Sequence, residues 1–422
     1  PFFEVECALR FVFHFSEGVG AQNQELVHQG PFRALVLALH RSDISAHAHP
    51  HVVTLYYELA VRYVKLARDE PPVVQLVLEA MCGARGLQHP SPMVRSRVCY
   101  FLLRLTKALG AGASAFAESI VTTARGLLQA DPASTGLCES DSLQLFETMG
   151  CLVGLSSVPI EQQAAFLEVL IAPHLTHIES TLRVPPPPAE DEGESAERVA
   201  LSIAAIANTC KGFTRVRVEL QPLFSRVAQV ALSVLRRFPT HPSARSRIVF
   251  LLHRLVVCLG GALSPYLRPM LSPLMVHCDS ADVIEVVQLA NQLCLAFQDR
   301  MLPALDPNLV PFLRRVFELM PPPAGGELSA PHEATERASV QRLYFLFLNH
   351  IVSNKLAPVL VSPTNASHFE QVLNSIVQGL VEAPEPAIMK SCLAIITLLV
   401  QQWQLGAEGD VDLAVRLAFH DF

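Results

Sequence analysis

Two stretches decide the fold: Arg95 to Gly110, RSRVCYFLLRLTKALG, and Arg245 to Gly260, RSRIVFLLHRLVVCLG. Eight of the sixteen positions are identical at an offset of 150 residues, and His-Pro-Ser precedes both (His89 to Ser91, His241 to Ser243). In the first, Val98, Phe101, Leu102, Leu105 and Leu109 form one apolar stripe with the period of an α-helix. Pro before the stripe and Gly after it are the expected start and stop signals.

Similar stripes recur at Val52–Leu66, Leu143–Leu155, Ala164–Ile178, Val199–Phe213, Leu223–Phe238, Val283–Phe297, Val310–Leu319, Val340–Val352, Phe369–Val381 and Ile388–Trp403. No comparable stretch alternates with period two, so no sheet is expected. Helix pairs open near residues 91, 140, 193, 242, 279, 335 and 385, a spacing of about 49, slightly above that of HEAT and armadillo units. The offset of 150 then equals three repeats. The predicted fold is all-α: an α-solenoid of HEAT-like helical hairpins, one superhelix over residues 1–422. Stacked hairpins hide both faces, which accounts for 50% apolar and only 17% charged residues. Exposed, mobile insertions are expected at about 184–197, VPPPPAEDEGESAE, and about 321–334, PPPAGGELSAPHEA.

Composition excludes several classes. Low charge with abundant Leu, Val and Ala is opposite to the signature of disorder. No uninterrupted apolar run reaches membrane-spanning length; Ile248–Leu263 is broken by His253 and Arg254. The ten cysteines form no CxxC pair and read as free buried thiols of a reducing compartment. Asn365-Ala366-Ser367 fits a glycosylation site, but no secretory signal accompanies it. Pro1 leads directly into an apolar pattern, and the chain stops at Phe422 inside a helix-like one; it reads as cut from something longer. The net charge of −7 argues against a strongly basic nucleic-acid module, yet five acids sit in 184–197, leaving 32 basic against 34 acidic residues elsewhere.

No P-loop, GxGxxG, HExxH or GxSxG is present, so binding is expected, not turnover, and no cofactor or metal is called for. His47, His49 and His51 in DISAHAHPH could meet a metal if extended, but a solvated loop around Pro50 is the simpler reading. His174 and His177 share a helix face without a third ligand.

The arginines carry more information. On a helical wheel Arg104 falls about 20° from Arg97, at the edge of an apolar stripe centred near about 110°. Arg247 and Arg254 repeat this geometry, while Arg95 and Arg245 lie one turn earlier on another face. The heads either snorkel at repeat seams, pair with acids on neighbouring repeats, or point into the concave face as an anion-binding ladder. The candidate phosphate-binding set is Arg95, Arg97, Arg104, Lys107, Arg245, Arg247 and Arg254. Further basic positions are Arg215, Arg217, Arg226, Arg236, Arg237, Arg314 and Arg315.

Six ordered segments carry a resemblance: PFFEVECALRFVF (1–13), RGLQHPSPMVRSRVCYFLLRLTKAL (85–109), DSLQLFETMGCLVG (141–154), SRIVFLLHRLVVCL (246–259), RLYFLFLNHIV (342–352) and the stretch from Phe369 to Trp403. In them the chain resembles the exportin-T family, tRNA exportins of the importin-β (karyopherin) superfamily. The resemblance covers a middle to C-terminal portion of the family. It implies a HEAT-repeat superhelix that is not an enzyme. Such a receptor binds mature tRNA with RanGTP, touches nucleoporins, and shuttles between nucleus and cytoplasm, with no membrane insertion, as a monomer. Recognition would be by shape and phosphate backbone, as A-form duplex demands. The principal Ran contact is expected in N-terminal repeats missing here. The Pro-acidic stretch has no counterpart in the family. A solenoid scaffold, or a karyopherin-type receptor for protein cargo, is the competing reading.

Overall fold

The computed structural model describes residues 2–19, 30–130, 132–185, 189–279, 282–319, 331–382 and 385–405. Among them all regular structure is helical. The principal helices are α1 (Phe2–Gly18), α2 (Gly30–Arg41), α3 (Pro50–Arg62), α4 (Pro71–Cys82), α5 (Pro92–Leu109), α6 (Ala117–Gln129), α7 (Glu139–Val153), α8 (Ile160–Arg183) and α9 (Ala189–Cys210). They continue as α10 (Gln221–Arg237), α11 (Pro242–Leu259), α12 (Leu267–Val276), α13 (Val283–Phe297), α14 (Leu309–Leu319), α15 (Pro331–Ser353), α16 (Phe369–Glu382) and α17 (Pro386–Val400). Proline occupies the first turn of α3, α4, α5, α10, α11 and α17, where its missing N–H has no intrahelical partner to lose.

The chain divides into two compact units, Pro1–Thr176 with Ala204–Thr214, and His177–Ile203 with Arg215 onward. Within each, alternate helices form two layers. In the first unit α1, α3, α5 and α7 pack in succession, and α2, α4 and α6 do so beside them. In the second, α11, α13, α15 and α17 form one row and α10, α12 and α14 the other. This is the hairpin stack of an α-solenoid. The predicted openings near 91, 140, 193, 242, 279, 335 and 385 fall at or within a few residues of the starts of α5, α7, α9, α11, α13, α15 and α17.

The repeat is copied in its turns. Gly110 (φ 53°, ψ −127°) ends α5 and Gly260 (φ 50°, ψ −126°) ends α11; each is followed by a 3-10 turn, Gly110–Phe116 or Gly260–Tyr266. Gln298 ends α13 in the same conformation (φ 49°, ψ −129°), which an L side chain adopts only under strain. Elsewhere glycine permits close approach. A Cβ on Gly150 of α7 would lie 2.1 Å from the Thr209 carbonyl oxygen, and one on Gly154 would lie 2.2 Å from that of Gly212. Backbones therefore touch there, within the first unit.

Two expectations change. Of the 184–197 stretch, residues from Ala189 are helical and belong to α9, while 186–188 lie outside the described residues. Of 321–334, residues up to 330 lie outside them and Pro331 opens α15. Taken as whole helical stretches, 242–276 and 386–403 are long and apolar enough to cross a bilayer, contrary to the count of uninterrupted runs. The first carries the fully buried Arg245 and packs on α10 and α13 as a core element.

Candidate nucleic-acid interface

On α5 the apolar stripe is buried as predicted, with Val98, Phe101, Leu102, Leu105 and Leu109 all in the core. Arg97 and Arg104 therefore stand at its exposed edge, two turns apart. The Arg97 guanidinium carbon lies 4.8 Å from the Phe101 ring centroid and 5.6 Å from that of Tyr100, a cation–π position that fixes the head without neutralising it. Neither Arg97 nor Arg104 forms an ion pair among the described residues.

Lys107, one turn further, is held. Its ammonium contacts Glu147 of α7, and Lys211 reaches the other carboxylate oxygen at 2.7 Å. Burial alone would raise the Glu147 pKa, but the bonds from both lysines hold it below the usual carboxylate value. Arg95 is also committed: Nη1 donates to the carbonyls of His89 at 2.5 Å and Pro90 at 2.9 Å. Its other terminal nitrogen fills the space where Gly136 (φ 60°) lacks a Cβ.

The second copy shows which of these features are architectural. Arg245 donates through Nη1 to the Pro239 carbonyl at 2.9 Å, six residues back, just as Arg95 does to His89. It also reaches the carbonyls of Pro273 (3.0 Å) and Leu274 (2.9 Å), and Asp282 Oδ2 through Nε at 2.5 Å. The side chain is 0% exposed. Arg245 has no surface to offer a phosphate, so its place in the expected phosphate-binding set is corrected: it is a core tie. The helical wheel put it on a different face from Arg247 and Arg254, but not inside the protein, because nothing in the local sequence announces Asp282. Arg254 is half-buried, its guanidinium 5.4 Å from the Phe250 centroid, and Arg247 is half-buried beside it on the helix.

A second basic feature was visible only in part from the sequence. In the second unit α8 and α10 border an open groove of about 720 Å³. Arg226, Gln229, Ser233, Arg236 and Arg237 of α10 line one wall, and Glu179, Leu182 and Arg183 of α8 the other. Arg226 makes a two-point contact with Glu179, at 3.0 and 2.9 Å, which keeps that carboxyl below its ordinary pKa. The arginines of α10 were legible as basic positions; Arg183, and the convergence on one groove, were not.

The histidines do not assemble a site. Residues Asp43–Ala46 form a 3-10 turn, His49 precedes α3 and stacks on Phe2 at 3.7 Å, and His51 lies within α3. His174 packs edge-on to Phe146, whereas His177 bonds Ser202 at 3.1 Å. Among the described residues no group of His, Cys, Asp and Glu could hold a metal ion.

The comparisons decide the family. A family model described as Exportin-T matches residues 2–412. The chain belongs to the Exportin-T family. The Exportin-T of Danio rerio is 29% identical over 426 residues, covering 97% of this chain and 44% of the relative. That of Homo sapiens is 28% identical (98% and 44% covered), and that of Arabidopsis thaliana 26% (95% and 42%). The chain thus spans less than half the length of these Exportin-T relatives. Among solved structures, importin-13 in its cytosolic state matches 89% of this chain and 40% of its own, at TM-score 0.61 and 14% identity. That likeness is one of fold, and it is the hairpin stack described above. In this Exportin-T chain the thiols of Cys82, Cys258 and Cys294 are pushed up to about 12 by burial, and that of Cys392 to about 11. They are apolar packing, as the sequence suggested.

Proposed function

We propose that this chain is part of a nuclear export receptor that binds tRNA by shape and phosphate backbone together with RanGTP, and is no enzyme. Membership of the Exportin-T family over residues 2–412 is the observation that carries the proposal. The receptor shuttles between nucleus and cytoplasm through nucleoporin contacts, as a monomer. Its two units belong to one solenoid fragment.

The arrangement on α5 supports the RNA ligand. Arg97 and Arg104 keep their charge available at an exposed helix edge. Guanidinium forks suit phosphate oxygens, whereas the deep major groove of A-form RNA denies side chains access to the bases. Arg247 and Arg254 repeat the pair in the second unit, partly covered. Lys107 contributes less, since Glu147 neutralises it, and Arg95 serves its own turn first.

The test is filter binding of tRNA with RanGTP across a salt series. Reversing Arg97, Arg104, Arg247 and Arg254 to Glu weakens binding and flattens the salt slope by roughly 0.7–0.9 for each phosphate that is no longer neutralised. Unchanged affinity in folded protein removes these residues from the interface. A protein partner that co-purifies while tRNA competes poorly would favour the protein-cargo reading.

A further inference from the structure

We infer that the groove between α8 and α10 is a second phosphate-binding site, in which Arg183, Arg226 and Arg236 grip the backbone of duplex RNA and Glu179 holds the place of the phosphate until it arrives. Its ligand rests on the tRNA reading above; its anion chemistry does not.

Four arginines and one carboxylate face this groove. Arg183 and Arg236 are exposed, and neither forms an ion pair among the described residues. Both lie in the last turn of their helices, where a cation complements the helix dipole; that explains charge at each site but not their meeting across one cleft. Arg237 is already used, paired with Glu192 and lying 4.8 Å from the Phe238 ring centroid. Arg226 is intermediate, since its fork closes on Glu179 while its side chain stays 45% exposed. A phosphate presents the same two-oxygen edge as that carboxylate, so it can take the fork and gain the two unpaired neighbours as well.

The groove's shape selects the ligand. It is open and shallow, so it suits a continuous backbone. No aromatic ring lines it, which removes the stacking platform that unpaired bases require. Ser233 Oγ is already committed, donating to the Gln229 carbonyl at 3.1 Å, and Gln229 Nε2 donates to the Tyr266 hydroxyl at 3.2 Å, so the arginines carry the grip. A paired region gripped through its phosphates fits these groups.

Two probes separate the claims. Isothermal titration with inorganic tripolyphosphate, read through the groove variants, tests the groove's anion chemistry, and filter binding with tRNA and RanGTP tests its role. R183Q/R236Q lowers tripolyphosphate affinity by about tenfold or more, and E179Q raises it several-fold by removing the competing carboxylate. In the tRNA assay R183Q/R236Q weakens binding and reduces the salt slope. Tripolyphosphate binding that is absent, or indifferent to both groove variants, overturns the site whatever tRNA does. Weakened tripolyphosphate binding with unchanged tRNA affinity overturns the RNA assignment. Failure of wild-type protein to bind tRNA overturns the proposed function, while titration still judges the groove.

Discussion

Asp282 holds Arg245 by its Nε, at 2.5 Å, with the guanidinium wholly withdrawn from solvent. Both terminal nitrogens donate to backbone carbonyls, three in all, so the charge is buried but not orphaned. Removing one partner strands the other. Asp282→Asn or Arg245→Gln is expected to cost about 3–5 kcal/mol in denaturant unfolding. Arg245→Met combined with Asp282→Leu should cost less than either single change. A single variant within about 0.5 kcal/mol of wild type would show that the tie contributes little.

Gln298 adopts the backbone that glycine supplies at positions 110 and 260. Strain of this kind costs about 1–3 kcal/mol. Gln298→Gly is therefore expected to raise the unfolding midpoint, despite the added freedom glycine brings to the unfolded chain. Gly260→Gln should lower it. Opposite signs in the two experiments are the check.

His40 is 2% exposed, and neither ring nitrogen has a hydrogen-bond partner among the described residues. Burial depresses its pKa from 6.5 to about 4. The unfolded chain then binds the proton more readily, so this contribution is complete above about pH 6.5 and lost as pH falls toward 4. The loss amounts to about 3 kcal/mol. His40→Leu should flatten the stability profile in that window, read by urea unfolding at stepped pH.

Glu147 titrates below the usual carboxylate value because Lys107 and Lys211 bond its charged form, against the opposing effect of burial. A depressed acid contributes stability above its unfolded pKa and loses it as pH falls through the folded one. Glu147→Gln should remove that acid-limb dependence and destabilise by about 1–3 kcal/mol at neutral pH. It also frees Lys107, so tRNA affinity in filter binding is expected to rise; unchanged affinity removes Lys107 from the interface.

The hairpin stack was legible because it rests on local physics. Val98, Phe101, Leu102, Leu105 and Leu109 recur at helical spacing, and proline and glycine mark the ends of α5 and α11. The offset of 150 residues announced three repeats, and the copied turns at Gly110 and Gly260 follow from it. Ordered resemblance along the chain was enough for the family.

The arginines were a different matter. A wheel assigns an angle, and by angle Arg97 and Arg104 were placed correctly at the stripe's edge. Burial, however, depends on what packs against that angle. Arg95 and Arg245 occupy the same register, yet Arg245 meets Asp282 and the carbonyls at the end of α12, 28 to 37 residues away, and is entombed. Arg183 and Arg236 share a groove although 53 residues separate them. Period and punctuation act within a helix, and the sequence alone determined the helices, their pairing and their number of residues per repeat. Which cations stayed in water was decided by the tertiary structure, because desolvation and ion pairing act between helices that only stacking brings together.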